Sequence, residues 1–220
     1  MKIYKMKIAI LFSGRIFKFG NHYNNIMENI VQGHDADFFL SHSPELDEDL
    51  ESFCEIYQPV AVCNDPIPEF DFTKYPNYPG SVTHRRNVIC MFYNRRRVFN
   101  LLDTHIKTNN IEYDCIVSYR LDLFSYNKID YNIQSNILYI PEGSDHYGGI
   151  NDQVAYGTYE PMKKYMNPIN HIDDILLNIG IFHAELINKE NLLLHKVAIQ
   201  RTLFDYEIIR GGHSIYINSR

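Results

Sequence analysis

Tryptophan is absent from the 220 residues, and cysteine occurs only four times, at Cys54, Cys63, Cys90 and Cys115. None of these forms a CxxC pair or sits close to a histidine, so the pattern argues against a structural zinc site. A chain of this length does not need disulfide staples, and Cys90 and Cys115, set in apolar stretches, read as buried thiols. Positive charge is the minority: 21 Lys and Arg against 27 Asp and Glu leave a formal net charge of −6. That balance argues against nucleic acid or an anionic membrane as partner. There is no GxxxxGK[ST] loop, no GxGxxG after a strand, no GxSxG elbow and no HExxH, so P-loop, dinucleotide-fold, hydrolase-elbow and zincin chemistries have no motif to stand on. Long apolar runs are missing as well. Ile8 to Phe12 is too short for a signal-peptide core, and nothing reaches the roughly eighteen residues of a membrane span. A cytoplasmic protein without an anchor or transmembrane segment is expected.

What is present suits a folded α/β domain covering 1–220. Hydrophobic residues make up 45% and charged residues 22%, enough apolar surface for a core. Asn, Ile, Lys and Tyr recur throughout, the bias of an AT-rich coding genome. Lys7 to Ser13 is an unbroken apolar run stopped by Gly14, the pattern of a strand buried on both faces. Asn21 to Val31 has helical spacing, Asp37 to Ser41 reads as a second buried strand, Pro44 to Tyr57 as an acidic amphipathic helix, and Val60 to Cys63 as a third strand. This βαβαβ opening predicts a doubly wound sheet. A proline-rich loop (Pro66, Pro68, Pro76, Pro79) precedes a long helix over 83–109. Cys115 to Tyr119 and Ile137 to Ile140 are further strands. Gly148-Gly149 reads as a flexible turn, Val154 to Tyr156 as a strand, and 160–166, 171–179 and 185–195 as helices. Ile208-Ile209 and Ile215 to Ile217 resemble closing strands around Gly211-Gly212.

The strongest local signal is the buried strand Cys115 to Tyr119 running into Arg120-Leu121-Asp122. Ligands of open α/β sheets bind at the carboxyl ends of strands. A carboxylate there can hold a divalent cation, and an arginine there can donate paired hydrogen bonds to phosphate. The bland reading is an Arg120–Asp122 ion pair at a strand end. Arg85, Arg86, Arg95, Arg96 and Arg97 crowd the long helix. Arg86, Tyr93 and Arg97 share a face that could reach an anion, or these arginines are simply solvated. Asp152, after the glycine pair, could act as a base or merely cap a turn. Glu185 opens the late helix and is a second candidate base, unless it only complements the helix dipole. His183, His195 and His213 are possible ligands, each more often a plain structural residue.

Taken in order, Phe12-Ser13-Gly14-Arg15, the long helix, strand-then-Arg120-x-Asp122, Tyr139-Ile140-Pro141 and Gly148-Gly149-Ile150-Asn151-Asp152-Gln153 resemble the GT-A nucleotide-sugar glycosyltransferases with a degenerate DxD motif. They are similar to small bacterial and giant-virus glycosyltransferase-like proteins over about residues 7–200. The resemblance implies a GT-A-like mixed, largely parallel sheet with helices on both faces. It also implies glycosyl transfer from a nucleoside-diphosphate sugar to the hydroxyl of a glycan or other acceptor. Ser13, Gly14, Arg15, Arg86 and Arg120 would then hold the donor, Asp122 a divalent metal (Mn2+ or Mg2+), and Asp152 or Glu185 would be the base. Arg120 stands where the motif has its first Asp, so arginine could replace part of the metal's charge. A non-catalytic sugar-nucleotide or glycan-binding module and a nucleotidyltransferase are the alternatives.

Overall fold

Each half of the apolar run Lys7–Ser13 finds a partner layer, and this sets the architecture. The computed structural model describes residues 5–16, 19–43, 50–75, 77–210 and 213–217. The chain order is β1 (Lys7–Ser13), α1 (Phe19–Ile26), β2 (Asp35–Ser41), α2 (Leu50–Tyr57), β3 (Ala61–Cys63), α3 (Val82–Asn109), β4 (Cys115–Tyr119), β5 (Leu123–Ser125), β6 (Ile137–Pro141), β7 (Val154–Gly157), α4 (Tyr159–Met166), α5 (Ile172–Ile179), α6 (Ala184–Leu194), β8 (Ala198–Thr202), β9 (Tyr206–Arg210) and β10 (His213–Ile217). A π-helical turn, Met27–Val31, extends α1.

The main sheet has the order β3-β2-β1-β4-β7-β6-β8. Strands β3, β2, β1 and β4 run parallel, as do β6 and β8, while β7 is antiparallel to both of its neighbours. This is the mixed, largely parallel sheet expected. Ile8, Ile10 and Phe12 point to a layer built from Ile26, Ile30, Phe53 and Tyr57. Ala9 and Leu11 point the other way, onto Val98, Phe99 and Leu102 of α3 and Met162 and Tyr165 of α4. Helices therefore cover both faces, and that is why β1 carries no polar alternation. A smaller antiparallel sheet, β10-β9-β5, joins the first layer through Leu123, Tyr206 and Ile208.

Helix α3 starts where Ser81 accepts a hydrogen bond from the His84 N–H at 3.1 Å and ends at left-handed Asn110. The proline-rich loop before it is packed: Phe70, Tyr75 and Tyr78 surround Phe182, and Tyr75 donates to Asp173 at 2.6 Å. Two strands were not expected from the sequence, β5 and β8. The acidic helix begins at Leu50 within the described part; 44–49 lie outside the described residues, as do Gly211 and Gly212. His171 ends a 3-10 turn rather than opening α5. Successive parallel strands leave β1 in opposite directions, to β2 and to β4, so the carboxyl ends of β1 and β4 form a topological switch point.

Candidate active site

A group of buried charged and amide side chains gathers beyond the carboxyl end of β4 and the amino end of antiparallel β7. Arg95 enters it from α3. Its guanidinium is 2% exposed, donates to the Asp152 carbonyl, and lies 3.7 Å from the Asp152 carboxylate. The rings of Phe92 and Tyr165 flank it at 5.4 and 5.0 Å, so the cation is compensated by both a carboxylate and π faces. Among the described residues Arg95 Nη1 and Asn188 Oδ1 are buried without a hydrogen-bond partner. Such groups are expensive to keep in a closed interior.

Asp152 belongs to a loop that is fixed from several sides. Asp145 receives a two-pronged contact from Arg201 (2.8 and 3.0 Å) and accepts from the Asn151 N–H at 2.8 Å. Asn151 donates to Tyr206 Oη, which donates to Gln153 Oε1 at 2.6 Å. The Ile150 N–H donates to the Glu185 carbonyl at 3.0 Å. Gly149 is the close-contact residue here: a Cβ on it would lie 2.4 Å from the Glu185 carbonyl carbon and 2.6 Å from the Leu186 nitrogen. Gly149 is therefore a packing joint between loop and α6, whereas a Cβ on Gly148 (φ +72) would meet nothing within 4 Å, and Gly148 only supplies the turn. The joint presses the start of α6 against Asp152.

That contact shapes Glu185. Burial pushes its carboxyl up to about 7, helped by the charge of Asp152 and opposed by its own backbone N–H, Arg95 and Arg120. His183 Nδ1 lies 3.0 Å from Glu185 Oε2, close enough for an ion pair but not aligned as a hydrogen bond. Burial, and repulsion from His146 and His84, lower the His183 proton affinity against the pull of Asp152. Burial thus favours the protonated form of Glu185 and the neutral form of His183.

Arg120 and Asp122 engage each other. Arg120 donates from Nε to Asp122 Oδ1 at 3.0 Å and from Nη2 to Oδ2 at 2.5 Å. Burial works against the Arg120 charge, but Asp122 and Asp152 outweigh it and raise its proton affinity. With both carboxylate oxygens on a guanidinium, Asp122 does not offer a free ligand to Mn2+ or Mg2+. Among the described residues no group of three or more His, Cys, Asp or Glu side chains is placed to hold a metal. A divalent cation at Asp122 would therefore have to compete with the Arg120 guanidinium for the carboxylate.

Gly14 has φ +100, which only glycine adopts without strain, and its N–H donates to the Ser41 carbonyl at 2.9 Å. Ser13 is half-buried and Arg15 exposed at the switch point, and no side-chain hydrogen bond or ion pair joins them to the cluster among the described residues. Arg86 is exposed in the first turns of α3; the arginine that reaches the site is Arg95. Signals for the missed residues were present. Val88, Phe92, Arg95, Phe99 and Leu102 fall on one helical stripe, so Arg95 occupies a core position, and Asn188 and Asn191 share the buried face of α6 with Glu185. His195 instead lines a cleft of about 210 Å³ with His171, Lys163 and Lys164, and His213 stands in β10 with its side chain outside the described part. A larger groove of about 370 Å³ runs along β6 and β8 past Lys128, Asp130, Arg201 and Thr202. Neither cleft is lined by Arg95, Asp152 or Glu185. The buried cluster is the better candidate, because interior charges are costly unless they serve a purpose, whereas solvated clefts are common.

No family model matches the chain, and no curated protein is significantly similar to it. No helix among the described residues is long and apolar enough to cross a membrane.

Proposed function

We propose that the protein is a glycosyltransferase that moves a sugar from a nucleoside-diphosphate donor to an acceptor hydroxyl, with Glu185 as the acceptor's base. One observation carries the reading: a carboxyl poised at about 7, buried beside Asp152, Arg95 and Arg120, at the carboxyl side of a mostly parallel sheet. The mixed, mostly parallel sheet with helices on both faces supports the reading at the level of an α/β fold. The two carboxylates exchange rank relative to the sequence reading. Asp152 is committed to Arg95 and orients it, whereas Glu185 has the proton affinity of a working base. Arg120 supplies the positive charge for the departing diphosphate once the phosphate displaces Asp122 from its guanidinium. If the metal of the GT-A pattern takes part, Asp122 must exchange Arg120 for it.

A second reading, a non-catalytic sugar-nucleotide or glycan-binding module, is favoured by one specific observation: Arg120 and Asp122 satisfy each other at a strand end. A melting-temperature screen of nucleoside-diphosphate sugars, with and without manganese, tests donor binding. We expect one donor to raise the melting temperature of the wild type and to fail with Arg120→Gln. No shift with any donor, in protein shown to be folded, removes the transferase and the sugar-nucleotide-binding readings and leaves only a glycan-binding module.

A further inference from the structure

The loop between β6 and β7 holds an exposed aromatic ring in a conformation unfavourable for its backbone. Gly143, Ser144, Tyr147 and Gly148 all have positive φ. For the glycines this is free; for Tyr147 (φ 56, ψ 25) it is costly, because a bulky L side chain crowds its own carbonyl there. Such conformations persist only where the surroundings impose them. Here the surroundings are visible on both sides of the tyrosine: Arg201 clamps Asp145, Lys189 donates to the Gly148 carbonyl at 2.7 Å, and Gly149 is wedged against α6. The result is a tyrosine 75% exposed to solvent. Its ring centroid is 4.3 Å from that of His183, with the planes tilted by 57°. The opposite contact of His183 is Glu185, 3.0 Å away. Tyr147 is thus a solvent-facing aromatic surface one imidazole away from the candidate base.

We propose that Tyr147 is the platform for the acceptor and that the acceptor is a carbohydrate; this rests on the glycosyl-transfer reading of the same site. A pyranose has an apolar face of electropositive C–H groups and a rim of hydroxyls. Its C–H face packs on the electron-rich face of a phenol ring, and its rim meets polar groups. Tyr147 provides the ring, and His183, in contact with it, and Glu185 behind His183 provide polar groups at its edge. A flat peptide or lipid chain would use the ring but waste the polar edge. A donor nucleobase could stack on a tyrosine too. However, Tyr147 sits on the β6–β7–α6 side, while the β1–β4 switch point is where a nucleotide belongs.

The test is saturation-transfer NMR on the wild type, Tyr147→Phe, Tyr147→Ala and Tyr147→Gly. The probes are the methyl α- and β-glycosides of glucose, galactose and mannose, with uridine and adenosine diphosphates as nucleotide probes. At least one glycoside should bind the wild type and Tyr147→Phe comparably, and bind Tyr147→Ala about fivefold or more weakly. Tyr147→Gly relieves the left-handed strain, so it should melt higher than the wild type and still lose the glycoside. That combination separates a binding role from a structural one. Absence of glycoside binding to the wild type, unchanged binding in Tyr147→Ala and Tyr147→Gly, or nucleotide signals that depend on Tyr147 would each overturn the proposal. The donor-induced melting shift of the wild type is measured in parallel. Its absence alongside Tyr147-dependent glycoside binding would remove the transferase reading and leave a carbohydrate site.

Discussion

Replacing Glu185 by Gln should make the protein more stable, and only at high pH. The Glu185 carboxyl titrates at about 7 in the folded chain instead of near 4.5. Between those values the native state holds a proton that the unfolded chain has released, so stability falls as pH rises through the window. The full penalty, about 3 kcal/mol, is present above pH 7 and absent below about pH 4.5. Glutamine is close to an isostere of the protonated acid and carries none of it. Urea or thermal denaturation of the wild type and Glu185→Gln at pH 5, 6, 7 and 8 measures the difference. The two should nearly coincide at pH 5. At pH 8 the variant should melt higher by roughly 6–12 °C, the conversion appropriate to a chain of this size, the attraction of Arg95 and Arg120 being already contained in the shift. A difference that does not vary with pH, or a less stable variant at pH 8, would show that Glu185 is ionised at no cost and that the argument for a base is wrong.

Other expectations follow from the same contacts. Arg95→Met should cost about 3–5 kcal/mol in urea denaturation, because the buried Asp152 carboxylate loses its nearest cation and keeps only the attraction of Arg120. Adding Asp152→Asn should recover part of that loss, and strict additivity would contradict the pairing. Gly149→Ala should destabilise by about 1–3 kcal/mol through its collision with the first turn of α6, at a backbone φ that alanine tolerates, and it should shift the Glu185 titration; wild-type melting behaviour would contradict the joint. Asp122→Asn should release Arg120 and leave or strengthen metal-free donor binding, read as the donor-induced melting shift, whereas a metal carried by Asp122 would make the same variant lose its manganese-dependent shift.

Much of the scaffold was legible because burial on two faces leaves a plain signature. The runs 8–12, 38–40 and 115–117 are apolar throughout, and each lies in a strand of the sheet's parallel half. β8 was missed because Ala198-Ile199-Gln200 lies exposed at the sheet edge and carries neither an apolar run nor an alternation that burial would impose. β5 is three residues long and owes its existence to pairing with distant β9. The site was legible in part. Arg120, Asp122, Asp152 and Glu185 were singled out, but local sequence could not say which carboxylate is paired and which is poised. That depends on Gly149 seating α6 against the loop, a contact between residues 149 and 185. Arg95 was hidden by the arginines around it. Its place on the apolar stripe of α3 was the usable signal, since a charge at a core position needs a partner.

The most direct test of the account is release of nucleoside diphosphate from a panel of sugar donors, with and without methyl glycoside acceptors, by the wild type and Glu185→Gln. The account predicts acceptor-dependent release by the wild type, rising with pH through about 7, and a loss of at least about a hundredfold in the variant. Donor binding without release by folded wild type, or equal release by the variant, would contradict it.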